Sequence, residues 1–283
     1  MRADLHLHTT ASDGSDSPFE LIAKAKEKGI TVISITDHDT LCGSIEAIKL
    51  DVEDIKVITG IEFSCKTEEA GGFECHILGY GFDPYAKPML DAIAHGREMR
   101  LRKLEARLTY LSSRFGISFP KEDLSWLHSL NSVARPHLGR LLVKRGHAKD
   151  MIEAMDVFLK GDGFPDDRID AGEAINAIRM SGGVAVYAHP IGGEREKRLS
   201  EAELLPRVDA LVKLGLSGLE CYYSRYSEDD EKMLVSLAKS KGLYISAGSD
   251  YHGENKTVRL GDLRSDGAPI DCGEITLLSA IKC

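Results

Sequence analysis

Two histidines spaced two residues apart near the start of the chain have the types and spacing of metal ligands. His6 and His8 lie in the segment ADLHLHTTASD, and Asp13 follows shortly after. Side chains of a strand alternate between its two faces, so both imidazoles would point the same way. Two neighbouring imidazoles on a buried strand are costly to protonate together, whereas a bound cation favours the pair. A polar strand face exposed to solvent is the alternative, and this pair alone leaves both open.

Other candidate ligands lie at or near the ends of further predicted strands. Six of the ten histidines have such positions, and the other four all lie in one helical region. Any one of them is more often a satisfied core residue than a ligand. Burying all six with three carboxylates and no cation would cost several kcal/mol per uncompensated group. The sequence therefore predicts a single metal cluster built from His6, His8, Asp13, His38, Glu62, His76, His189, Asp250 and His252.

The order of the predicted elements explains how these residues would meet. Ser17, Pro18 and Glu20 form the capping box of a first helix that ends at Gly29. The apolar run TVISIT (31–36) indicates a buried strand of a parallel sheet. Further strands are predicted at 56–63, 73–80, 183–189, 217–223 and 243–250, and helices at about 43–50, 171–181, 201–214 and 227–241. This alternation favours a parallel α/β barrel, whose strand carboxyl ends open on one face.

One region of the chain interrupts this alternation. Residues 86–169 contain helical patterns and no convincing strand, and 158–170 has the composition of a return linker. Residues 87–149 carry 13 Lys/Arg and 5 Asp/Glu, a local charge of +8, so the remainder is near −17. A basic segment on an acidic body indicates a local anion contact, not general coating of nucleic acid. We predict a barrel domain (1–85 and 170–283) with a helical insertion (86–169) that acts as a substrate lid.

Composition places the chain among water-soluble α/β proteins. Its 283 residues, 42% of them hydrophobic, can bury one large core. There is no apolar stretch long enough for a membrane span, and the charged start does not resemble a signal peptide. Six scattered cysteines without a C-x-x-C pair indicate reduced thiols. We expect a cytoplasmic protein without a membrane association or an obligate protein partner.

Taken together, the motifs resemble the PHP (polymerase and histidinol phosphatase) superfamily. H-x-H, the following Asp, TDHD (36–39), GIE (60–62), a strand histidine, AHP (188–190) and a terminal D-x-H occur in the family's order. ARPHLGR (134–140), followed by FLKGDG (158–163), resembles the TrpH/YciV subgroup of metal-dependent phosphoesterases. The resemblance implies a distorted seven-stranded (β/α) barrel with an α-helical insertion. It also implies two or three divalent ions, for which mixed His and carboxylate ligands suit manganese, iron or zinc.

The resemblance also implies how the ligands are shared. One ion would be held by His6, His8, Glu62 and Asp250, and a second by Asp13, His38 and His252. Glu62 would bridge to a third ion at His76 and His189. Three such ions, three carboxylates and a bridging hydroxide leave a charge of about +2, which suits a phosphate monoester of charge near −2. The hydroxide would be the nucleophile, with His189 and Asp250 as the catalytic residues.

Substrate recognition is predicted to come mainly from the insertion. Arg135 and His137 are the leading candidates, because the guanidinium group of arginine suits a second phosphate. A surface residue at a helix start is the alternative for Arg135. Arg97 and Ser12 are further candidates. A solvent-exposed helix face explains Arg97 equally well, and a turn position explains Ser12 equally well. Asp37 and Asp39 are expected to orient His38 or its neighbours.

The expected activity is hydrolysis of phosphate esters on small nucleotide-type substrates. A 3′,5′-nucleotide bisphosphate or an AMP-like substrate fits, as does 5′-3′ trimming of short RNA. A phosphodiesterase acting on a cyclic phosphate of a phosphorylated ribose is a rival within the same class. A non-catalytic, metal-binding regulatory domain and a metal-dependent amide hydrolase are the alternatives from other classes.

Overall fold

Strands arranged around a common core carry most of the candidate residues. The computed structural model describes residues 2–160, 167–194, 196–268 and 270–281. Within them the strands are β1 (Ala3–Leu7), β2 (Val32–Ile35), β3 (Lys56–Thr67), β4 (Phe73–Tyr80), β5 (Ile169–Asp170), β6 (Val184–Tyr187), β7 (Gly218–Tyr223) and β8 (Tyr244–Gly248). Their order in the sheet is β1-β2-β3-β4-β6-β7-β8, and the short β5 pairs with β3.

The chain that follows β8 brings the sheet back to β1. The amide of Asp250 donates to the His6 carbonyl at 2.9 Å, and the amide of His8 donates to the Tyr251 carbonyl at 2.9 Å. Leu7 and Tyr251 form a parallel bridge. Seven strands therefore form a nearly closed barrel, which confirms the predicted distorted seven-stranded fold.

One strand runs against the expected direction. β4 is antiparallel to both β3 and β6, whereas the sequence pattern predicted a parallel barrel throughout. A tight turn between β3 and β4, in which Ala70, Gly71 and Gly72 have positive φ, makes a hairpin of the two strands. His76 consequently reaches the barrel mouth from the interior of β4, opposite Ser64, and not from a strand end.

Helices cover the outside of the barrel as the sequence predicts. The predicted capping box of the first helix is present, with Ser17 and Glu20 bonded reciprocally. Apolar side chains between sheet and helices, such as Ile61, Ile77 and Leu219, are fully buried. The helices are α1 (Pro18–Glu27), α2 (Cys42–Lys49), α7 (Ala171–Met180), α8 (Glu201–Leu214), α9 (Glu228–Lys241) and the short α10 (Leu277–Ala280).

The described residues between β4 and β5 form helices joined by turns and loops, with no strand among them. It contains α3 (Lys87–Phe115), α4 (Lys121–Ser129), α5 (Arg135–Lys144), α6 (Met151–Glu153) and a π-helical turn (Ala154–Phe158). These helices share an apolar cluster of their own, which includes Leu104, Leu111, Leu127, Leu138 and Leu142. Residues 161–166 of the predicted return linker lie outside the described residues, and the domain boundaries stay a prediction.

Hydropathy separates these helices from membrane spans. Of the helices in the described ranges, none combines the length and the apolar character needed to cross a bilayer. Even the 29-residue α3 carries charged residues along its whole length.

Candidate metal centre

The carboxylate of Glu62, in β3, lies at the centre of a group of histidines. Glu62 is only 1% exposed, and the ring nitrogens of five histidines approach its two oxygens. The nearest nitrogen–oxygen distances are 3.3 Å for His6, 3.2 Å for His8, 3.0 Å for His38, 3.0 Å for His76 and 3.3 Å for His189. Side chains from four strands or strand ends therefore converge on one carboxyl group.

The remaining candidate residues adjoin this group on one side. Asp250 Oδ1 lies 3.6 Å from His6 Nε2 and 3.4 Å from His8 Nε2. His252 Nε2 lies 3.3 Å from Asp13 Oδ1, and its ring stacks on His8 with centroids 3.9 Å apart. The structure thus brings all nine predicted ligands together.

The donor atoms of this cluster fit metal ions. Five buried side-chain atoms here have no hydrogen-bond partner: His6 Nε2, His8 Nδ1, His8 Nε2, His38 Nδ1 and Glu62 Oε2. Each buried polar atom left unpaired costs about 1–3 kcal/mol, and divalent ions between them would remove that cost. Three sets have their donor atoms within 4.8 Å of one another: His8, Asp13, His38 and His252; His6, His8 and Asp250; His38, Glu62 and His76.

The ionisation states of Glu62 and His8 also favour cation binding. Burial alone would raise the pKa of Glu62, but His6, His38 and His76 hold it well below its ordinary value. Burial, with a contribution from His252, lowers the pKa of His8 to about 4. Glu62 is therefore ionised and His8 neutral near pH 7, which are the forms that bind metals.

Several buried or partly buried groups that sequence reasoning missed support these ligands. Glu220 bonds His6 Nδ1 at 2.9 Å and accepts from the His189 amide at 2.7 Å. Asp250 Oδ2 accepts from the Tyr223 hydroxyl at 2.9 Å and from Lys256 Nζ at 2.7 Å. The only signal in the sequence was a glutamate inside the apolar strand SGLECYY.

Asp37, which follows β2, bonds the loop after β1 that carries Ser12. Asp37 accepts hydrogen bonds from the Thr9 amide and hydroxyl, both at 2.7 Å, and from the Ser12 hydroxyl at 2.6 Å. Ser12 is 2% exposed, so its hydroxyl proton is engaged within the protein. Asp37 thus fixes the loop that carries Asp13.

A cavity of about 570 Å³ opens between the metal centre and the helical region. Arg135, at the start of α5, lines this cavity together with His38, His76 and His189. Arg97 instead bonds the His128 carbonyl at 3.3 Å. His137 is 4% exposed, and its Nδ1 accepts from the Ala134 amide at 3.0 Å. The basic lining of the cavity comprises Arg100, Lys103, Arg107, Arg135, Arg168, Lys197 and Arg207.

Comparison with known proteins defines the class. The PHP domain model matches residues 4–155. The chain is 32% identical over 258 residues to a 3′,5′-nucleoside bisphosphate phosphatase from Chromobacterium violaceum, covering 88% of this chain and 86% of the relative. It is 30% identical over 262 residues to a 5′-3′ exoribonuclease from Haemophilus influenzae, covering 91% and 92%. The chain therefore belongs to the PHP family.

Two further similarities concern chemistry and shape. A phosphoribosyl 1,2-cyclic phosphate 1,2-diphosphodiesterase from Eggerthella lenta is 30% identical over 263 residues, covering 90% of this chain and 95% of the relative. A solved structure from Bifidobacterium adolescentis, assigned to the metal-dependent phosphoesterases, superposes with a TM-score of 0.81 at 27% identity, covering 99% and 96%. The protein is an enzyme, a metal-dependent hydrolase of phosphoric esters.

Proposed function

We propose that this enzyme hydrolyses phosphate esters of small nucleotide-type substrates, either 3′,5′-nucleoside bisphosphates or the 5′ ends of short RNA. The observation that carries the proposal is the Glu62 carboxylate surrounded by histidine nitrogens, several of them buried without a partner. The phosphatase and exoribonuclease relatives, which this chain matches over most of its length, support this substrate class.

The proposed ligands divide among two or three divalent ions, which we expect to be manganese, iron or zinc. His6, His8, Glu62 and Asp250 would hold one, Asp13, His38 and His252 a second, and His76 and His189 a third that shares Glu62. The three sets of donor atoms that lie within 4.8 Å of one another support this division, although His8 and His38 each belong to two of these sets. When bound, such ions polarise the phosphoryl group and supply a nucleophile at neutral pH.

His189 and Asp250 are the proposed catalytic residues. His189 lines the cavity, with Nε2 3.3 Å from Glu62 Oε1 and Nδ1 3.5 Å from Glu196 Oε2, so Glu196 can hold a proton on Nδ1 while Nε2 faces the metal centre. Asp250 directs Oδ1 between His6 and His8, while Lys256 and Tyr223 hold its other oxygen. Both have positive φ, 29° for His189 and 60° for Asp250, a strained backbone of a kind found at active sites.

The helical region (86–169) would act as a lid that recognises the substrate. Arg135 is the strongest candidate for a second phosphate, because it lines the cavity and its guanidinium group can bind an anion through two parallel hydrogen bonds. His137 supports this turn by accepting from the Ala134 amide. Arg97 bonds the His128 carbonyl and Ser12 bonds Asp37, so we assign Arg97 and Ser12 a smaller part in substrate binding.

The second candidate is hydrolysis of a cyclic phosphate on a phosphorylated ribose. The relative from Eggerthella lenta supports it, at an identity within two percentage points of the bisphosphate phosphatase. The same centre suits both reactions, since each needs a nucleophile beside a phosphorus atom and cations on its oxygens.

A cytoplasmic location also belongs to this proposal. Cys65, Cys75 and Cys221 are buried thiols, and burial raises the pKa of each. Such protonated thiols are compatible with a reducing compartment.

A substrate panel tests the proposed function. Manganese-loaded protein would be incubated with a 3′,5′-nucleoside bisphosphate, a 5′-phosphorylated RNA oligomer and phosphoribosyl 1,2-cyclic phosphate. We expect release of phosphate or of mononucleotides from the first two, and turnover of the third alone would establish the second candidate. The Glu62→Gln variant, prepared identically, controls for contaminating phosphatases. Failure of metal-replete protein to hydrolyse any of the three would contradict the proposal.

A further inference from the structure

Glu220, in β7, is a fully buried carboxylate directly behind the metal centre. It has 0% exposure, and its two oxygens contact two different histidines: Oε1 lies 2.9 Å from His6 Nδ1, and Oε2 accepts from the His189 amide at 2.7 Å. Gly248 makes room for this contact. A Cβ at that position would lie 2.9 Å from Glu220 Oε1 and 2.1 Å from the Cβ of His6.

The contact with His6 determines which ring nitrogen carries the proton. Oε2 of Glu220 accepts from the His189 amide, and we assign Oε1 as the acceptor of a proton on His6 Nδ1. In the neutral ring, Nε2 then carries a lone pair. Nε2 points at oxygens of Glu62 (3.3 Å) and Asp250 (3.6 Å) and has no hydrogen-bond partner. Three acceptors that face one another in a buried space are unfavourable unless a proton or a metal ion lies between them.

The contact with His189 has a separate consequence. His189 has φ 29°, outside the conformations that side-chain-bearing residues prefer, and its amide is bonded to Glu220. The following turn is held at Ile191, whose amide donates to the Tyr226 hydroxyl at 3.1 Å. One oxygen of Glu220 therefore orients a ring, and the other holds a strained backbone.

We propose that Glu220 is a positioning residue that keeps His6 in the Nδ1–H form and so presents Nε2 to a metal ion. This inference rests on the proposed metal centre. It assigns to Glu220 no contact with substrate and no ligand role of its own. Hydrogen bonds of this kind fix the tautomer of a ligating histidine, and their loss typically weakens metal binding 10–100-fold.

Glu220→Gln separates this role from simple packing, because the amide has nearly the same shape. The carbonyl oxygen of the new side chain must face the His189 amide, which is a donor. Its NH₂ group must then face His6 Nδ1, which favours the opposite tautomer with a proton on Nε2. We expect Mn²⁺ affinity, measured by calorimetric titration, to fall about 10–100-fold at one site.

Two controls isolate the effect. Glu231→Gln makes the same chemical change at a buried glutamate that pairs with Arg264 in another part of the molecule, and Mn²⁺ binding should not change. His6→Gln should weaken Mn²⁺ binding at the same site. Adding Glu220→Gln to His6→Gln should then cause little further loss, since the tautomer of His6 no longer matters.

A spectroscopic measurement on the unchanged protein completes the test. In Zn²⁺-loaded protein labelled with ¹⁵N-histidine, His6 should show a proton on Nδ1 and none on Nε2, with His6→Gln assigning the signal. A proton on Nε2 would overturn the proposal even if Glu220→Gln did not fold. Wild-type-like Mn²⁺ affinity of folded Glu220→Gln would also overturn it, whereas a wild-type protein that binds no metal would instead refute the proposed function.

Discussion

At the scale of single residues, two arginines of the helical region have different surroundings. Arg135 lines the cavity, whereas Arg97 bonds a carbonyl away from it. We predict that Arg135→Ala raises KM for a 3′,5′-nucleoside bisphosphate about 10-fold or more, because a charge-assisted contact to a phosphate contributes about 1.5–3 kcal/mol. Metal content should not change. Steady-state kinetics and elemental analysis measure the two quantities.

Arg97→Ala is the matched control for this prediction. It removes the same side chain from the same basic segment without removing a group from the cavity lining. Its KM should change much less than that of Arg135→Ala. Equal KM values for both variants would remove Arg135 from substrate recognition.

The nine candidate ligands were predictable because their residue types are conspicuous. Histidines and carboxylates that follow apolar strands stand out in a sequence, and barrel topology brings strand ends together. Glu220 and Lys256 were not predictable in the same way. The first lies inside an apolar strand and the second in an irregular segment, and only the folded chain brings them to His6 and Asp250.

At the scale of elements, Arg100 connects α3 to the barrel. Its guanidinium group bonds Asp39 at 2.5 Å, Ser64 Oγ at 2.9 Å and the Val133 carbonyl at 3.2 Å. Arg100 and Asp39 are 14% and 3% exposed, so removing one leaves a largely buried charge without its partner. We predict that Arg100→Met lowers the free energy of unfolding by about 2–4 kcal/mol, as measured by urea denaturation.

Arg102→Met provides the comparison on the same helix. Arg102 pairs with Glu98 on the exposed face of α3, and such surface pairs contribute about 0–1 kcal/mol. Its unfolding midpoint should stay close to that of the wild type. If Arg100→Met lowered the free energy of unfolding as little as Arg102→Met, the contact with Asp39 would not be what anchors α3.

Element types were more predictable than strand directions. The capping residues Ser17 and Glu20 and the apolar runs located helices and strands correctly. The predicted direction of β4 was wrong, because a buried strand has the same apolar pattern whether its neighbours are parallel or antiparallel. The short turn around Gly71 and Gly72 was the physical determinant of the hairpin.

At the scale of the whole molecule, charge is distributed unevenly. The net charge is −9, yet the residues between 87 and 149 carry +8 and contribute several cations to the cavity above the metal centre. Such an arrangement draws anionic substrates to one opening of an otherwise acidic protein.

The stability of the whole barrel should depend on metal. Ligands from strands distant in sequence surround Glu62 and the neighbouring Asp250, so ions bound there would connect β1, β3, β4 and the segments after β2, β6 and β8. Metal at about 100 times its Kd stabilises by about 2.7 kcal/mol, which corresponds to about 4–5 °C in Tm for a chain of this size. Calorimetric melting in Mn²⁺ and in EDTA measures the difference, and identical Tm values would contradict the prediction.

The central claim is that Glu62 and the surrounding histidines form a centre for several metal ions. Elemental analysis of protein loaded with Mn²⁺ and then desalted tests this claim most directly, with folded Glu62→Gln as the comparison. We predict two or three equivalents in the wild type and no more than one in the variant. Less than one equivalent in the wild type, or the same content in both proteins, would contradict it.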